Sequence, residues 1–121
     1  MGQTAEGLAT LAEALAVAER TGDRRDEAEI HRLKGEFLLR QAVPAAPQAE
    51  TCFRQALDVA RRQQAKSWEL RAAMSLARLW QQQGKRTEAR DLLAPIYGWF
   101  TEGFDTADLQ EAKALLEELG I

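Results

Sequence analysis

Residues 14–20 and 56–62 are near-copies of each other. Ala14-Leu15-Ala16-Val17-Ala18-Glu19-Arg20 and Ala56-Leu57-Asp58-Val59-Ala60-Arg61-Arg62 agree at five of seven positions. The same offset pairs Leu11 with Phe53, Glu27 with Glu69, Gly35 with Ala77, Leu38 with Trp80 and Gln41 with Gln83. A spacing held over a helix-turn-helix length implies repeated units, none of which buries its apolar face alone. Such units stack on their neighbours, and arrays of this kind serve binding more often than chemistry.

The bulk composition sets the limits of that array. At 121 residues the chain suits one domain, and the whole span 1–121 is taken as one. Apolar residues make up 45% and charged residues 29%, which suits a packed soluble fold and not disorder. A net charge of −3 argues against a nucleic-acid partner. Alanine and leucine dominate and only three prolines occur, a balance that favours helix throughout. No apolar run approaches the roughly 18 residues of a membrane span, so no membrane partner is expected. The first residues show no basic-then-apolar leader pattern, and the lone Cys52 excludes an internal disulfide; a cytoplasmic setting follows as the expectation.

The apolar periodicity predicts an all-α fold of about six helices in antiparallel pairs. The first spans about Thr4 to Arg20 on Leu8, Leu11, Leu15 and Ala18. Gly22 stops it and Asp23 can cap the second, from about Arg24 to Gln41, with Ile30, His31, Phe37 and Leu38 inward. Val43 to Pro47 breaks the pattern with two prolines. The third helix, about Gln48 to Gln64, carries Ala49, Phe53, Ala56, Leu57 and Ala60 on one stripe. The fourth, about Ser67 to Gln83, carries Leu70, Ala73, Leu76, Ala77 and Trp80, with Trp80 expected in the core. The fifth starts near Thr87 with Ala89, Leu93, Ile96, Tyr97 and Phe100, and Pro95 predicts a bend in it. Trp99 with Phe104 is expected to fix the exit turn. Asp105 or Thr106 caps the sixth, whose stripe is Leu109, Ala112, Leu116 and Leu119 and whose acidic outer face is expected to stay in water. Gly35 is expected to be a close-packing position that tolerates alanine.

Charge is uneven along the chain. Nine basic residues between Arg54 and Arg90 face three acidic ones, and from Thr101 onward six acidic residues face Lys113 alone. Solvated outer faces explain most such runs; electrostatic matching between neighbouring modules or copies is the sharper reading.

The small-residue pattern resembles the tetratricopeptide repeat. Leu76-Ala77-x2-Trp80, then Gly84 and Ala89-x3-Leu93, fits one repeat; Gly35-x2-Leu38, then Ala49-x3-Phe53-x2-Ala56-Leu57, fits another. The spacing of 42 exceeds the family's usual 34, Lys34 stands where leucine is usual, and His31 where a large aromatic is usual. The resemblance implies a right-handed stack of helix pairs, an α-solenoid. The runs His31-Arg32-Leu33-Lys34-Gly35-Glu36-Phe37-Leu38-Leu39-Arg40, Ser67-Trp68-Glu69-Leu70-Arg71-Ala72-Ala73, Gly84-Lys85-Arg86-Thr87-Glu88-Ala89-Arg90-Asp91-Leu92-Leu93 and Tyr97-Gly98-Trp99-Phe100-Thr101-Glu102-Gly103-Phe104-Asp105-Thr106 look like the C-terminal helical tail of large bacterial signal-transduction ATPases. That likeness implies a fragment of a longer regulator, a scaffolding or sensory role, and partners that are protein segments or upstream domains of the same polypeptide.

No constellation for catalysis presents itself. His31 is the only histidine, so no triad or histidine metal site can form, and packing or a hydrogen bond is its expected role; Glu27 four residues earlier is a single further ligand. Cys52 reads as a small core filler. Gly98-x4-Gly103 continues as Phe104-Asp105 and not as Lys-Ser/Thr, so it is no phosphate loop. No catalytic residue, cofactor or metal is expected, and the chain is read as a non-enzyme. The residues expected to line a partner-binding face are Glu29, Arg32, Lys34 and Glu36 on the second helix and Arg71, Met74, Ser75 and Arg78 on the fourth. Leu8, Leu11 and Leu15 sit on a helix whose pair partner is missing, which makes them candidates for self-association into a homodimer. The alternative is a small-molecule sensor with an apolar pocket near Trp68, Trp80 and Tyr97.

Overall fold

The computed structural model describes residues 2–41, 45–100 and 106–120, with side chains from residue 5 onward. Six α-helices and no strand occur among them: α1 Gly2–Thr21, α2 Glu27–Leu39, α3 Ala46–Arg62, α4 Lys66–Gln82, α5 Arg86–Gly98 and α6 Ala107–Glu118. The expected Asp105 cap, the Trp99–Phe104 turn and the break at Val43-Pro44 involve positions outside the described residues.

Left-handed residues set most of the helix ends. Gly22 closes α1 at φ +76° and Gly84 follows α4 at φ +80°. Gln64, the repeat counterpart of Gly22, takes the same role after α3 at φ +55°. The Ala65 N–H then donates to the Ala60 carbonyl at 2.9 Å, and the Lys85 N–H does likewise to Trp80 at 2.8 Å, which satisfies carbonyls that would otherwise be orphaned. A glutamine held at positive φ carries a steric cost that glycine avoids. Gln64→Gly is accordingly expected to stabilise the fold by about 0.5–1 kcal/mol, read as a rise in the thermal midpoint.

Two helix starts depart from expectation. Asp23 does not cap α2; its carboxylate accepts from the Arg25 N–H and guanidinium, and α2 begins only at Glu27 after an intervening turn. Pro47 lies inside the first turn of α3, where a missing N–H leaves no helical bond unmade. Thr106 does cap α6, its hydroxyl accepting from the Leu109 N–H at 3.4 Å. Pro95 is accommodated within a continuous α5.

Consecutive helices pack on one another, and the even-numbered helices also touch along the chain, α2 with α4 and α4 with α6. The odd-numbered helices make no such mutual contact among the described residues. The main core lies between α3, α4, α5 and α6, where Phe53, Leu70, Leu76 and Leu93 are the largest fully buried side chains. Alanines at 49, 56, 73, 77, 89 and 112 are fully buried among them, so backbones approach closely and large side chains fill the gaps opposite. The expected stripes of α3 and α6 are buried throughout, with Leu115 added to the latter. In α2 the fully buried positions are Ala28 and Gly35, while Ile30, His31, Phe37 and Leu38 are only half-buried.

Trp80 is the main correction to the expected core. It is half-buried at the core's edge, its indole N–H donates to Glu50 at 3.2 Å, and the Arg54 guanidinium lies 5.4 Å from its ring centroid. A buried indole needs a polar partner, and Glu50 of α3 supplies it at the edge of the core.

Candidate functional site

Helices α2, α4 and α6 form a charged cleft of about 280 Å³ lined by Arg32, Arg71, Met74, Ser75, Arg78, Asp108 and Glu111. Five of these are residues that the sequence pattern singles out, and they meet because α4 lies between α2 and α6. Met74 and Ser75 are buried and make the floor, while the arginines stand as walls.

An ordered ion-pair ladder fixes those walls. Glu29 takes the Arg32 guanidinium in a two-point contact, Nε to Oε1 at 2.7 Å and Nη2 to Oε2 at 2.8 Å. The same Oε2 accepts from Arg71 Nη1 at 3.0 Å, and Arg71 Nε reaches Asp108 at 2.8 Å. Glu29 and Arg71 are separated by the repeat offset itself and so hold equivalent places in neighbouring units with opposite charge. Hydrogen bonds donated to these carboxylates raise both guanidinium pKa values, Glu29 acting first on Arg32 and Asp108 first on Arg71. Arg71 also lies 5.2 Å over the Trp68 ring, and Arg32 Nη1 stands 3.4 Å from the Ser75 hydroxyl. Arg78 is the least engaged, exposed and 3.4 Å from Glu111.

The acidic face of α6 is therefore not left wholly to water. Asp108 and Glu111 pair with α4, the Gln81 amide donates to the Glu118 carboxylate, and the Arg86 guanidinium donates to the Glu118 carbonyl. Sequence reasoning misses Asp108 and Glu111 as site residues, although the charge reversal after Thr101 signals a match. That match is made inside the chain.

Glu36 stays near Arg32, whose charge it supports, but outside the cleft lining. Lys34 acts on His31 and Cys52 and so belongs to the α3 side of α2. On α1, Leu11 is buried and Leu8 and Leu15 are half-buried, and α1 packs on α2 alone among the described helices. The large apolar side chain left exposed on α1 is Val17. Trp68 and Trp80 stand more than three turns apart on α4, about 18 Å. Trp68 packs on Ala28, Val59 and Ala60 while Trp80 packs at the opposite end, so the two do not line one small pocket.

His31 has a buried Nδ1 without a hydrogen-bond partner among the described residues. Burial lowers its pKa, Glu27 opposes that shift, and Lys34 and Arg62 reinforce it. The unfolded chain therefore binds a proton at a pH where the folded chain does not, and stability falls as pH drops through the ordinary histidine range. The urea midpoint is expected to decrease between about pH 7 and about pH 5, and His31→Leu is expected to remove that part of the decrease. Burial also pushes the Cys52 thiol up, away from the reactive thiolate. Among the described residues no group of His, Cys, Asp or Glu is gathered to hold a metal ion, and no helix is long and apolar enough to cross a membrane.

Comparison with known proteins finds no matching family model, curated protein or solved structure.

Proposed function

We propose that this chain is a non-catalytic binding module, a right-handed tetratricopeptide-like stack that holds a protein segment across α2, α4 and α6. The observation that carries the reading is the cleft itself. Three arginines from two helices converge over the buried Met74 and Ser75, and residues of α6 close the far wall. A peptide laid there exchanges its own polar groups for the Arg78–Glu111 pairing, which costs little at exposed positions. Packing of α2 on α4 and of α4 on α6 supports the stacked reading, because it repeats one contact along the chain. The sequence likeness to helical tails of bacterial signal-transduction ATPases supports a scaffolding place within a larger cytoplasmic regulator, with an upstream domain or a separate protein as the partner.

Peptides selected against the chain from a display library test this. Arg71→Ala combined with Arg78→Ala is expected to weaken the selected peptides about tenfold or more, roughly 1.4 kcal/mol, and added salt to weaken them further. The paired variant is expected to keep its helical circular dichroism. Undiminished binding by a folded variant would place the partner site elsewhere.

A further inference from the structure

A second groove, sharing no lining residue with the cleft, opens between α1 and α2. It measures about 300 Å³ and includes Ala14, Val17, Ala18, Glu27 and Ile30. The repeat counterparts of Ala14, Val17, Ala18 and Glu27 are Ala56, Val59, Ala60 and Glu69, the same residue types. The two surfaces share those four residues, while Thr21, Asp23, Asp26 and Ile30 stand where Gln63, Ala65, Trp68 and Ala72 stand one offset on. Val17 is 41% exposed whereas Val59 is 4% exposed; Ala18, like Ala60, is already buried.

Two things differ, α2 and the residue at the edge. Ala28 shares a buried cluster with Val59 and Ala60, and Trp68, whose counterpart in the open groove is Asp26, closes its edge. The Gln63 amide at the end of α3 donates to the Arg24 carbonyl at 2.6 Å and ties down the turn that leads into α2. The α3–α4 surface is thus a helix-binding groove seen filled, and the α1–α2 surface is its open counterpart. We infer that the α1–α2 groove binds one further helix, which sets an alanine against Val17 as Ala28 is set against Val59.

Charge selects the source of that helix. Asp23, Asp26 and Glu27 line the groove's rim, with Arg24 and Arg25 engaging two of them. The helices a second copy would bring are acidic too: α6 exposes Glu111, Glu117 and Glu118, and α1 carries Glu6, Glu13 and Glu19 against Arg20, so docking by either brings like charges together. The occupant is an alanine-bearing amphipathic helix without net negative charge, supplied by a partner other than a copy of this chain.

A graft tests the inference directly. Residues 24–45, which contain α2 and its exit and carry no net negative charge, are fused ahead of Thr4, the repeat counterpart of Ala46. The grafted helix then has the same tether to α1 as α2 has to α3. Thiol labelling of Val17→Cys, in a Cys52→Ala background, is expected to slow at least tenfold on grafting, and the urea midpoint to rise. Ala28→Glu within the grafted copy alone is expected to abolish both changes. Equal labelling with and without the graft would overturn the inference. The ungrafted chain is expected to sediment as a monomer; a dimer dissolved by Val17→Glu would overturn the choice of partner in favour of a second copy.

Discussion

Phe53→Ala is expected to destabilise the chain by about 3–5 kcal/mol. Phe53 is completely buried in the main core, with its ring directly against Gly35. Gly35 has no side chain to move into the space left behind, and a close-packed core relaxes only in part, so a residual cavity adds to the lost transfer free energy. Trp80→Ala makes the informative comparison. Trp80 has the larger ring, yet it is half-buried and spends its polar end on Glu50. Its truncation is expected to cost clearly less, about 1–2 kcal/mol, because water fills most of the gap. Urea unfolding of both variants checks the order, and a larger loss at Trp80 would mean the core is centred nearer the α4 C-terminus.

Gly35→Ala is expected to destabilise, contrary to what its helical setting alone suggests. Removing a glycine from a helix interior ordinarily gains about 0.5–1 kcal/mol. Here a Cβ at position 35 would stand 2.5 Å from Phe53 Cε1 and 2.8 Å from Cδ1, well inside contact distance. The ring cannot retreat, since Phe53 has no exposed surface to move into. Overpacking of this kind costs about 1–3 kcal/mol and outweighs the backbone gain, with Gly35→Leu costing more. The two sites must then couple: in a Phe53→Ala background, Gly35→Ala is expected to become neutral or stabilising. A double-mutant cycle measures that reversal, and simple additivity would show that the ring and the glycine do not meet. The same arrangement recurs at the α1–α2 contact, where a Cβ at Gly7 would come within 2.8 Å of the half-buried Phe37 ring.

The candidate cleft is legible in part from the sequence. Arg32, Arg71, Met74, Ser75 and Arg78 follow from helical spacing on the second and fourth helices, which identifies residues facing the same way. Asp108 and Glu111 do not follow from spacing, because which neighbour an acidic helix meets depends on how α6 returns onto α4. Lys34 departs from expectation for a related reason. It lies two positions from Arg32, on a helix an offset that turns the side chain to a different side, in this case toward α3.

Sequence alone determined the helices, most of their ends and the inner stripes of α3 and α6, because these depend on local propensity, left-handed stop residues and apolar period. It also determined that the chain contains a repeated unit. Tertiary structure decided which of two matching valines is covered. Val17 and Val59 occupy matching places in matching segments, yet one is exposed and the other buried, because burial is a property of what packs opposite and not of the residue. It likewise decided that Gly35 must stay glycine and that Trp80 sits at an edge: a helical period states which face a side chain is on, but not how close the facing helix comes.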